Sequence, residues 1–261
     1  MPDPSKADPL LEVEPRHDFL RQAWLAAGAC TRWIPPPCPR AAAPAEEHAR
    51  ALVFVPVVGM IIGVAMALCD RALSAIFPLL PTSAITIVAA VLLTGGLLPI
   101  GVARTVAQLI AGKSPRHVDI GWSGAAAPSL ILGAEIFALN MINAPPARAR
   151  ALVLAMLLSR WAIVPIGYGL KALEEGGLGI AYFGGITFAE FGISSVIALS
   201  LAMGLYDVVG LAAIVAVALT ILGLRLLLSR RLGGVGGDGL SAGAAVCETI
   251  TLAILAAISR I

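Results

Sequence analysis

Long apolar runs separated by short polar connections fill the chain from Ala51 to its end. A helix needs about 20 apolar residues to cross the hydrocarbon core of a bilayer. Backbone that lies in lipid must be hydrogen-bonded within its own segment, so these runs predict helices rather than strands. We expect an all-α, polytopic integral membrane protein of about seven spans, with six to eight possible, near residues 51–69, 83–103, 125–142, 151–170, 186–204, 207–228 and 240–258.

Two of the predicted span boundaries depend on very few residues. Residues 95–99, GGLLP, should break or kink the second span, because glycine permits turns and proline cannot continue a helix. The division between the fifth and sixth spans depends on Tyr206 and Asp207 alone. The layout of seven spans therefore depends most on these two places.

The first 50 residues differ from the rest because polar residues and prolines interrupt the apolar runs. Residues 1–18 carry mixed charges between prolines, which is typical of a solvated tail. Apolar side chains at helical spacing over residues 19–29 predict a short interfacial helix, with Trp24 and Trp33 at headgroup depth. Residues 40–50 are expected to be a polar linker. The predicted domains are therefore 1–50, a cytoplasmic tail with an interfacial helix, and 51–261, a single transmembrane helical domain.

The composition supports a membrane protein and argues against other classes. Hydrophobic residues make up 59% of the chain, charged residues 13%, and the mean hydropathy is +0.92. Soluble proteins average about half apolar and a quarter charged residues. The net charge of +2 is small and scattered, which argues against nucleic acid as a partner. The four cysteines lack metal-ligand spacing, so we expect ordinary thiols rather than disulfides or a zinc site.

The distribution of Lys and Arg predicts the orientation in the membrane. If the N-terminus is cytoplasmic, thirteen of the 18 basic residues fall in inside connections and four in outside connections. The positive-inside rule favours that arrangement. The glycine-bearing loops, residues 104–124, 174–185 and 229–239, are then all expected on the cytoplasmic side, where they could build one site.

The stretch with the most chemically useful groups is residues 225–248, RLLLSRRLGGVGGDGLSAGAAVCE. Glycines let backbone N–H groups approach a ligand, arginines bind phosphate in a forked geometry, and a carboxylate can hold a divalent cation. The alternative is a basic, flexible loop that only connects two membrane helices.

Ionisable residues at membrane depth are candidates for function because their burial is costly. Arg160 could be a phosphate ligand in a cavity open to the cytoplasm, or a structural partner of a carboxylate at Glu135, Glu190 or Glu248. Asp238 could hold a cation or could be the N-cap of the last span. Asp238 and Glu248 lie ten residues apart, so they could share one cation only if the loop folds back over the helix end.

Several motifs occur in the order typical of one enzyme family. Residues 231–240, RLGGVGGDGL, with Ala242 and Glu248 after them, resemble that family's closing signature LGGxTGDxLGA. Residues 54–63, FVPVVGMIIG, are similar to its FPLVGLLIG. The chain thereby resembles the cobalamin 5′-phosphate synthase family, also called adenosylcobinamide-GDP ribazoletransferase, over about residues 19–258. Further matching fragments are residues 31–35, 93–96, 159–160 and 177–179.

The resemblance implies a polytopic membrane enzyme of cobalamin biosynthesis, in the bacterial inner membrane, that joins adenosylcobinamide-GDP to α-ribazole or its 5′-phosphate. GMP leaves and Mg²⁺ assists, and partner subunits of cobalamin assembly are possible. Positioning and charge neutralisation at the phosphorus are the main tasks of such a site. The site residues carried over by position are Asp238, Arg231 and Arg160 as catalytic, Gly233, Gly234, Gly237, Arg116, Gly95 and Gly96 as substrate-binding, and Asp238 and Glu248 as metal ligands, with Asp119 as a further ligand candidate.

The sequence departs from the family at its acidic motif, HxDGLADxxDG. The corresponding segment, residues 98–108, has Leu98 in place of the histidine and replaces the aspartates by Ile100, Arg104 and Ala107. Isoleucine and alanine cannot bind Mg²⁺, and a nearby arginine would repel it. Three hypotheses therefore remain open. The protein is a working transferase, a catalytically silent homologue that binds a corrinoid, a nucleotide or a partner subunit, or an unrelated small transporter.

Overall fold

The computed structural model describes residues 19–33, 45–112, 120–173 and 186–259, and the α-helix is the dominant element throughout them. The predicted all-α class is confirmed; within these residues the extended pairing is a single isolated bridge between Ala172 and Val235. The helices are α1 (Phe19–Cys30), α2 (Ala45–Ala51), α3 (Val55–Leu73), α4 (Leu79–Leu93), α5 (Leu97–Ala111), α6 (Gly121–Met141), α7 (Pro145–Gly167), α8 (Phe188–Leu232) and α9 (Gly237–Ile258), with a 3₁₀ turn at Leu52–Phe54.

Five helical segments of the described chain are long and apolar enough to cross a membrane, and six if α4 and α5 together form one bent span. The axes of α4 and α5 differ by 83°. The bend lies at Gly95 and Gly96, whose φ angles of 67° and 69° favour glycine. The predicted break in the second span is therefore confirmed.

The helix α8 changes direction at Asp207, where the backbone leaves the helical region with φ 47° and ψ −124°. Before the break, the Tyr206 hydroxyl donates to the carbonyl oxygen of Ala147 at the start of α7 (3.0 Å). After it, Arg225 donates to the carbonyl oxygen of Tyr168 just beyond the end of α7 (2.6 Å). Near the start of α8, the Phe191 ring stacks on the Tyr168 ring, with their centroids 5.0 Å apart, so the two arms of α8 run in opposite directions along α7. The predicted boundary is correct, while the count of seven spans stays a prediction.

The N-terminal helix α1 coincides closely with the predicted interfacial helix. Its residues Leu25, Ala26 and Cys30 are buried against the bundle, whereas Trp24 and Trp33 remain exposed. Burial raises the pKa of the Cys30 thiol to about 11, although Arg160 lowers it in part, so this thiol is neutral at physiological pH. The described cysteines, Cys30, Cys69 and Cys247, are all free.

The predicted linker at residues 40–50 is wrong in its second half, because α2 (Ala45–Ala51) is helical. An ion pair joins the Arg21 guanidinium of α1 to the Glu47 carboxylate of α2, with Nε and Oε1 2.9 Å apart. This short helix is stabilised by a contact with a separate segment. The local sequence of residues 45–51 does not indicate such a contact.

The helix α7 forms the centre of the bundle. Its residues 151–167 are all buried, against α3, α8 and α9 in particular. One end of α7 is marked by Arg148, which contacts the ends of α3 and α6 and the start of α4. The other end, at Gly167, lies beside the glycine-rich loop between α8 and α9.

Candidate active site at the glycine-rich end of the bundle

The loop between α8 and α9 is held by backbone contacts. Gly233 ends α8 with φ 78°, a conformation that favours glycine. Val235 N–H donates to the carbonyl oxygen of Lys171 (2.9 Å), and Leu173 N–H donates to the carbonyl oxygen of Val235 (3.1 Å). A side chain on Gly234 would collide with the carbonyl oxygen of Lys171. The loop therefore has a defined backbone conformation, and its role as a binding site rather than a connector stays a prediction.

The first turn of α9 offers its backbone N–H groups to a ligand. Its N-cap is Gly236, which has no side chain that could cap the helix. Asp238 lies inside the first turn, so the alternative that Asp238 is the N-cap is wrong. A Cβ on Gly237 would have no described atom within 4 Å. Uncapped N–H groups and the helix dipole together favour an anion at such a terminus.

Arg104 of α5 faces Asp238 of α9. The guanidinium Nη1 and the carboxylate Oδ1 are 3.6 Å apart, and 56% of the Arg104 side chain and 23% of the Asp238 side chain are exposed. One turn before Arg104, Gly101 allows α5 to approach α9 closely, because a Cβ there would lie 2.9 Å from the carbonyl oxygen of Asp238. The residue that replaces an expected aspartate therefore supplies positive charge beside the remaining acid.

Several exposed basic residues lie on the segments next to this helix terminus, and we call them the basic rim. Arg231 is exposed at the end of α8, and its catalytic role stays a prediction. Arg225, by contrast, is half-buried and donates to the last carbonyl groups of α7, so it caps that helix. The basic rim consists of Arg104, Lys171, Arg230 and Arg231.

Two other predicted substrate-binding positions have different outcomes. Gly95 and Gly96 form the bend between α4 and α5, and a Cβ on Gly95 would lie 2.8 Å from the Cβ of Arg32. Close packing against the segment after α1 therefore accounts for Gly95. Arg116 and the ligand candidate Asp119 lie outside the described residues.

Arg160 and Glu248 lie deep in the bundle, away from the basic rim. Their side chains are almost fully buried, and Arg160 Nη1 lies 3.4 Å from Glu248 Oε2. Arg160 Nη1 also donates to Ser159 Oγ (2.8 Å). Of the alternatives for Arg160, the structure supports the pairing with a carboxylate, and the partner is Glu248.

The expected metal pair, Asp238 and Glu248, does not converge. Both residues lie on the continuous helix α9, and ten residues of helix span about 15 Å. One cation cannot bind both carboxylates in this arrangement. In the described part of the chain, no group of three His, Cys, Asp or Glu side chains is placed to hold a metal ion.

Sequence reasoning missed one buried ion pair, between Asp70 and Arg148. Arg148 Nη2 lies 2.5 Å from Asp70 Oδ1, and both side chains are almost fully buried. Both residues fall in connections between the predicted spans, because each lies at the end of an apolar run. The sequence did contain one signal of this pair. An acid and an arginine lie at the ends of two predicted spans, on the same predicted side of the membrane.

Comparison with known proteins identifies relatives over most of the chain. The family model for cobalamin-5-phosphate synthase matches residues 22–256. A curated adenosylcobinamide-GDP ribazoletransferase from Syntrophobacter fumaroxidans is 34% identical over 239 residues, covering 85% of this chain and 92% of the relative. Enzymes of the same name from Roseiflexus sp. and Escherichia coli are 30% and 28% identical, and cover 81% and 80% of this chain and 82% and 89% of the relatives. No solved structure gives a significant match.

Proposed function

The chain belongs to the cobalamin-5-phosphate synthase family, and from this membership we propose that it is an adenosylcobinamide-GDP ribazoletransferase. Its substrates would be adenosylcobinamide-GDP and α-ribazole or the 5′-phosphate of α-ribazole. The observation that carries the proposal is the uncapped first turn of α9, which lies beside the basic rim at one end of a membrane bundle. A transporter would require the matching motifs to be coincidental, and family membership removes that alternative.

The proposed reaction exchanges one phosphorus–oxygen bond for another. A hydroxyl oxygen of the ribazole forms a bond to the phosphorus that is attached to cobinamide. The bond from that phosphorus to the bridging oxygen breaks, GMP leaves with the bridging oxygen, and the hydroxyl proton passes to solvent. The protein mainly has to hold the two substrates in line and neutralise the charge on the phosphate oxygens.

The residues at the mouth of the site match those two tasks. The N–H groups of the first turn of α9 would bind phosphate oxygens, and Gly237 leaves room for that approach. Arg231, at the end of α8, and Arg104, on α5, would supply positive charge near the terminus. Asp238 would orient Arg104, and Gly233 and Gly234 would fix the loop that joins Arg231 to α9. Arg160 and Glu248 would support α7 and α9 from within rather than touch the substrate.

The Mg²⁺ ion that the resemblance implies does not fit the described residues. Asp238 is the acid nearest the proposed phosphate position, and its carboxylate already faces the Arg104 guanidinium. Mg²⁺ prefers several oxygen ligands at about 2.0–2.1 Å, and Glu248 lies too far along α9 to be one of them. The residues that the structure describes therefore give the ion no ligand set, and the Mg²⁺ dependence of the protein is a separate measurement.

We also propose that the basic rim faces the cytoplasm of a bacterial cell, with the protein in the inner membrane. The loop that follows Arg231 lies at the Gly167 end of the bundle, where Val235 N–H donates to the carbonyl oxygen of Lys171, and basic connections tend to remain on the cytoplasmic side. Cysteine labelling at Arg231→Cys and Arg150→Cys in inverted and right-side-out vesicles tests this orientation. Labelling of both positions from the same side would contradict it.

The activity is tested with purified full-length protein in lipid nanodiscs, supplied with adenosylcobinamide-GDP and α-ribazole. We expect GMP release, and we expect Asp238→Asn and Arg231→Ala to lower it by at least tenfold. Arg150→Ala, at the opposite end of α7, is the matched control and should retain activity. The same assay across Mg²⁺ concentrations and with EDTA measures the metal requirement. No GMP release under any of these conditions, from correctly folded protein, would rule out the enzyme.

One observation favours a second candidate, a silent homologue that binds the nucleotide substrate without converting it. Arg104 occupies a place where the resemblance predicts an acid, and it pairs with Asp238. A silent homologue would bind adenosylcobinamide-GDP in an equilibrium assay and release no GMP. Activity in the assay above would exclude this candidate, and binding without activity would establish it.

A further inference from the structure

Two carboxylates and one guanidinium are buried together at the middle of the bundle. Glu135 of α6 and Glu248 of α9 are each 4% exposed, and Arg160 of α7 is 1% exposed. Thr249 Oγ1 donates to Glu135 Oε1 (3.0 Å), and Arg160 Nη1 donates to Ser159 Oγ (2.8 Å) and lies 3.4 Å from Glu248 Oε2. These five residues are the core cluster.

The charges of the core cluster do not balance. If Glu135 and Glu248 are both ionised, the single guanidinium of Arg160 leaves one negative charge uncompensated. An unpaired charge at membrane depth is costly, and buried groups of this kind recruit a counter-charge or become neutral. Among the described residues, the neighbouring groups supply no counter-charge. The helix α4 contributes the hydroxyl of Thr94, the residues of α5 that line the same space are apolar, and α1 brings the neutral thiol of Cys30 near Arg160.

The hydrogen bonds of the core cluster are also incomplete. The Nε atom of Arg160 is buried and has no hydrogen-bond partner among the described residues. Arg160 lines a cavity of about 20 Å³ together with Glu135 and Glu248. This volume is sufficient for about one water molecule, and an unpartnered buried donor indicates that an acceptor occupies such a space.

We infer that this cavity is a binding site for one monovalent cation, which is held between Glu135 and Glu248. The cation is either a proton carried on the carboxyl pair or an alkali ion such as Na⁺, and each would supply the missing positive charge. With a proton, the one water molecule that the cavity holds would accept from Arg160 Nε and donate to a carboxylate, whereas an alkali ion would take the place of that water. This site goes beyond the transferase activity and does not depend on it, because it lies deep in the bundle, away from the basic rim.

The test measures the thermal unfolding midpoint of the full-length protein in nanodiscs across pH, in NaCl and in choline chloride of equal ionic strength. A cation that binds only the folded protein raises the midpoint as its concentration increases. A proton site predicts stabilisation as the pH falls, with equal midpoints in both salts. An alkali-ion site predicts higher midpoints in NaCl than in choline chloride at neutral and alkaline pH.

The variant Glu135→Gln removes the charge that needs compensation and should abolish the cation response. Glu190→Gln is the matched control, because Glu190 accepts from Thr187 N–H at the start of α8 (2.8 Å) and lies outside the cluster. Thr249→Val removes one hydrogen bond to Glu135, so it should keep the fold and shift the half-saturating cation concentration by up to about tenfold. It also keeps the inference testable if Glu135→Gln does not fold.

Infrared spectroscopy gives an independent measurement. A proton site predicts the carbonyl band of a protonated carboxylic acid in the original protein, with a shift in D₂O and a loss in Glu135→Gln. An alkali-ion site predicts a carboxylate band that changes on addition of Na⁺. The inference is overturned if the original protein and Thr249→Val respond identically to protons and Na⁺ and neither spectroscopic band is found.

Discussion

Two buried arginines on the same helix, α7, have opposite environments. Arg148 donates five hydrogen bonds, to both Asp70 carboxylate oxygens, to Ser83 Oγ and to the carbonyl oxygens of Leu139 and Ile142. A guanidinium has five N–H donors, so this side chain is fully satisfied. Arg160, twelve residues further on, has one long ion pair, an unpartnered Nε and a cavity beside it.

The two environments indicate different roles. The ion pair of Arg148 is structural, whereas the contacts of Arg160 can change. The Arg148 pair ties together the ends of α3 and α6 and the start of α4, and no vacant donor remains to bind a ligand. The Arg160 pair has an excess of carboxylate and an open donor, so a small change in charge can alter its contacts. A buried polar network in which every group has a hydrogen-bond partner specifies one arrangement of its side chains. Buried networks with unpartnered groups occur where a protein binds a ligand or changes conformation.

The largest effect is expected from Arg148→Met. The substitution leaves the Asp70 carboxylate buried without its partner, which costs about 3–5 kcal/mol of unfolding free energy. Denaturant titration in micelles measures the loss. Arg150→Met is the control, because Arg150 is exposed and stacks over the Tyr206 ring at 5.1 Å. A loss at position 148 no greater than at position 150 would contradict a structural role for the pair.

Arg160→Met should cost less, about 1–3 kcal/mol, because its ion pair is longer and less completely hydrogen-bonded. The loss should increase as the pH rises. Without Arg160, deprotonation of either Glu135 or Glu248 buries an uncompensated negative charge, so the folded state is favoured at low pH. Denaturant titrations at several pH values check the sign. A loss equal to that of Arg148→Met at every pH would remove the distinction between the two arginines.

Two glycines of the candidate site also differ in this way: one is packed closely against its neighbours, and the other faces open space. Gly234→Ala should destabilise the protein by about 1–3 kcal/mol, because the added Cβ collides with the carbonyl oxygen of Lys171. Gly237→Ala places its Cβ in open space, so the unfolding free energy should change by less than about 1 kcal/mol. Substrate binding should nevertheless fall in Gly237→Ala, as measured by equilibrium dialysis with adenosylcobinamide-GDP. Unchanged binding would show that the ligand does not approach this terminus.

The smallest change in stability is expected from Arg104→Ala. Its ion pair with Asp238 is exposed, and such pairs contribute about 1 kcal/mol or less. The affinity for adenosylcobinamide-GDP should decrease, because the variant loses one positive charge of the basic rim. For the same reason, the affinity should depend less steeply on salt concentration than it does in the original protein. Thermal unfolding and binding titrations at two salt concentrations check both statements. Arg71→Ala, at the opposite end of the bundle, is the control for a general effect of removed charge.

Local sequence signals predicted much of the fold. The positions of α1, of the bend at Gly95 and Gly96 and of the break at Asp207 all followed from residues within a few positions of each feature. The glycine-rich loop was also identified as the best candidate site. Proline, glycine and apolar periodicity act on backbone within one or two turns, so one sequence is enough to recognise them.

The pairing of side chains from distant segments was predicted less well. The sequence placed Arg104 at the position of an expected aspartate, but it did not indicate that Arg104 would face Asp238. The helix α2 was assigned to a linker, because its ion pair from Arg21 comes from a different segment. The prediction that Asp238 and Glu248 share a metal ion was wrong for a local reason. The helix α9 begins before Asp238, so both residues lie on one continuous helix and are too far apart to share an ion.

The sequence by itself determined that this is a helical membrane protein of one enzyme family, because hydrophobic length and motif order are properties of the linear chain. Only the tertiary structure decided which of two arginines on α7 is fully satisfied and which has an open donor beside an excess carboxylate. That decision depends on how the helices pack around α7. The partners of Arg148 and Arg160 lie up to 88 residues away in the chain, and no local pattern records which distant side chains will meet.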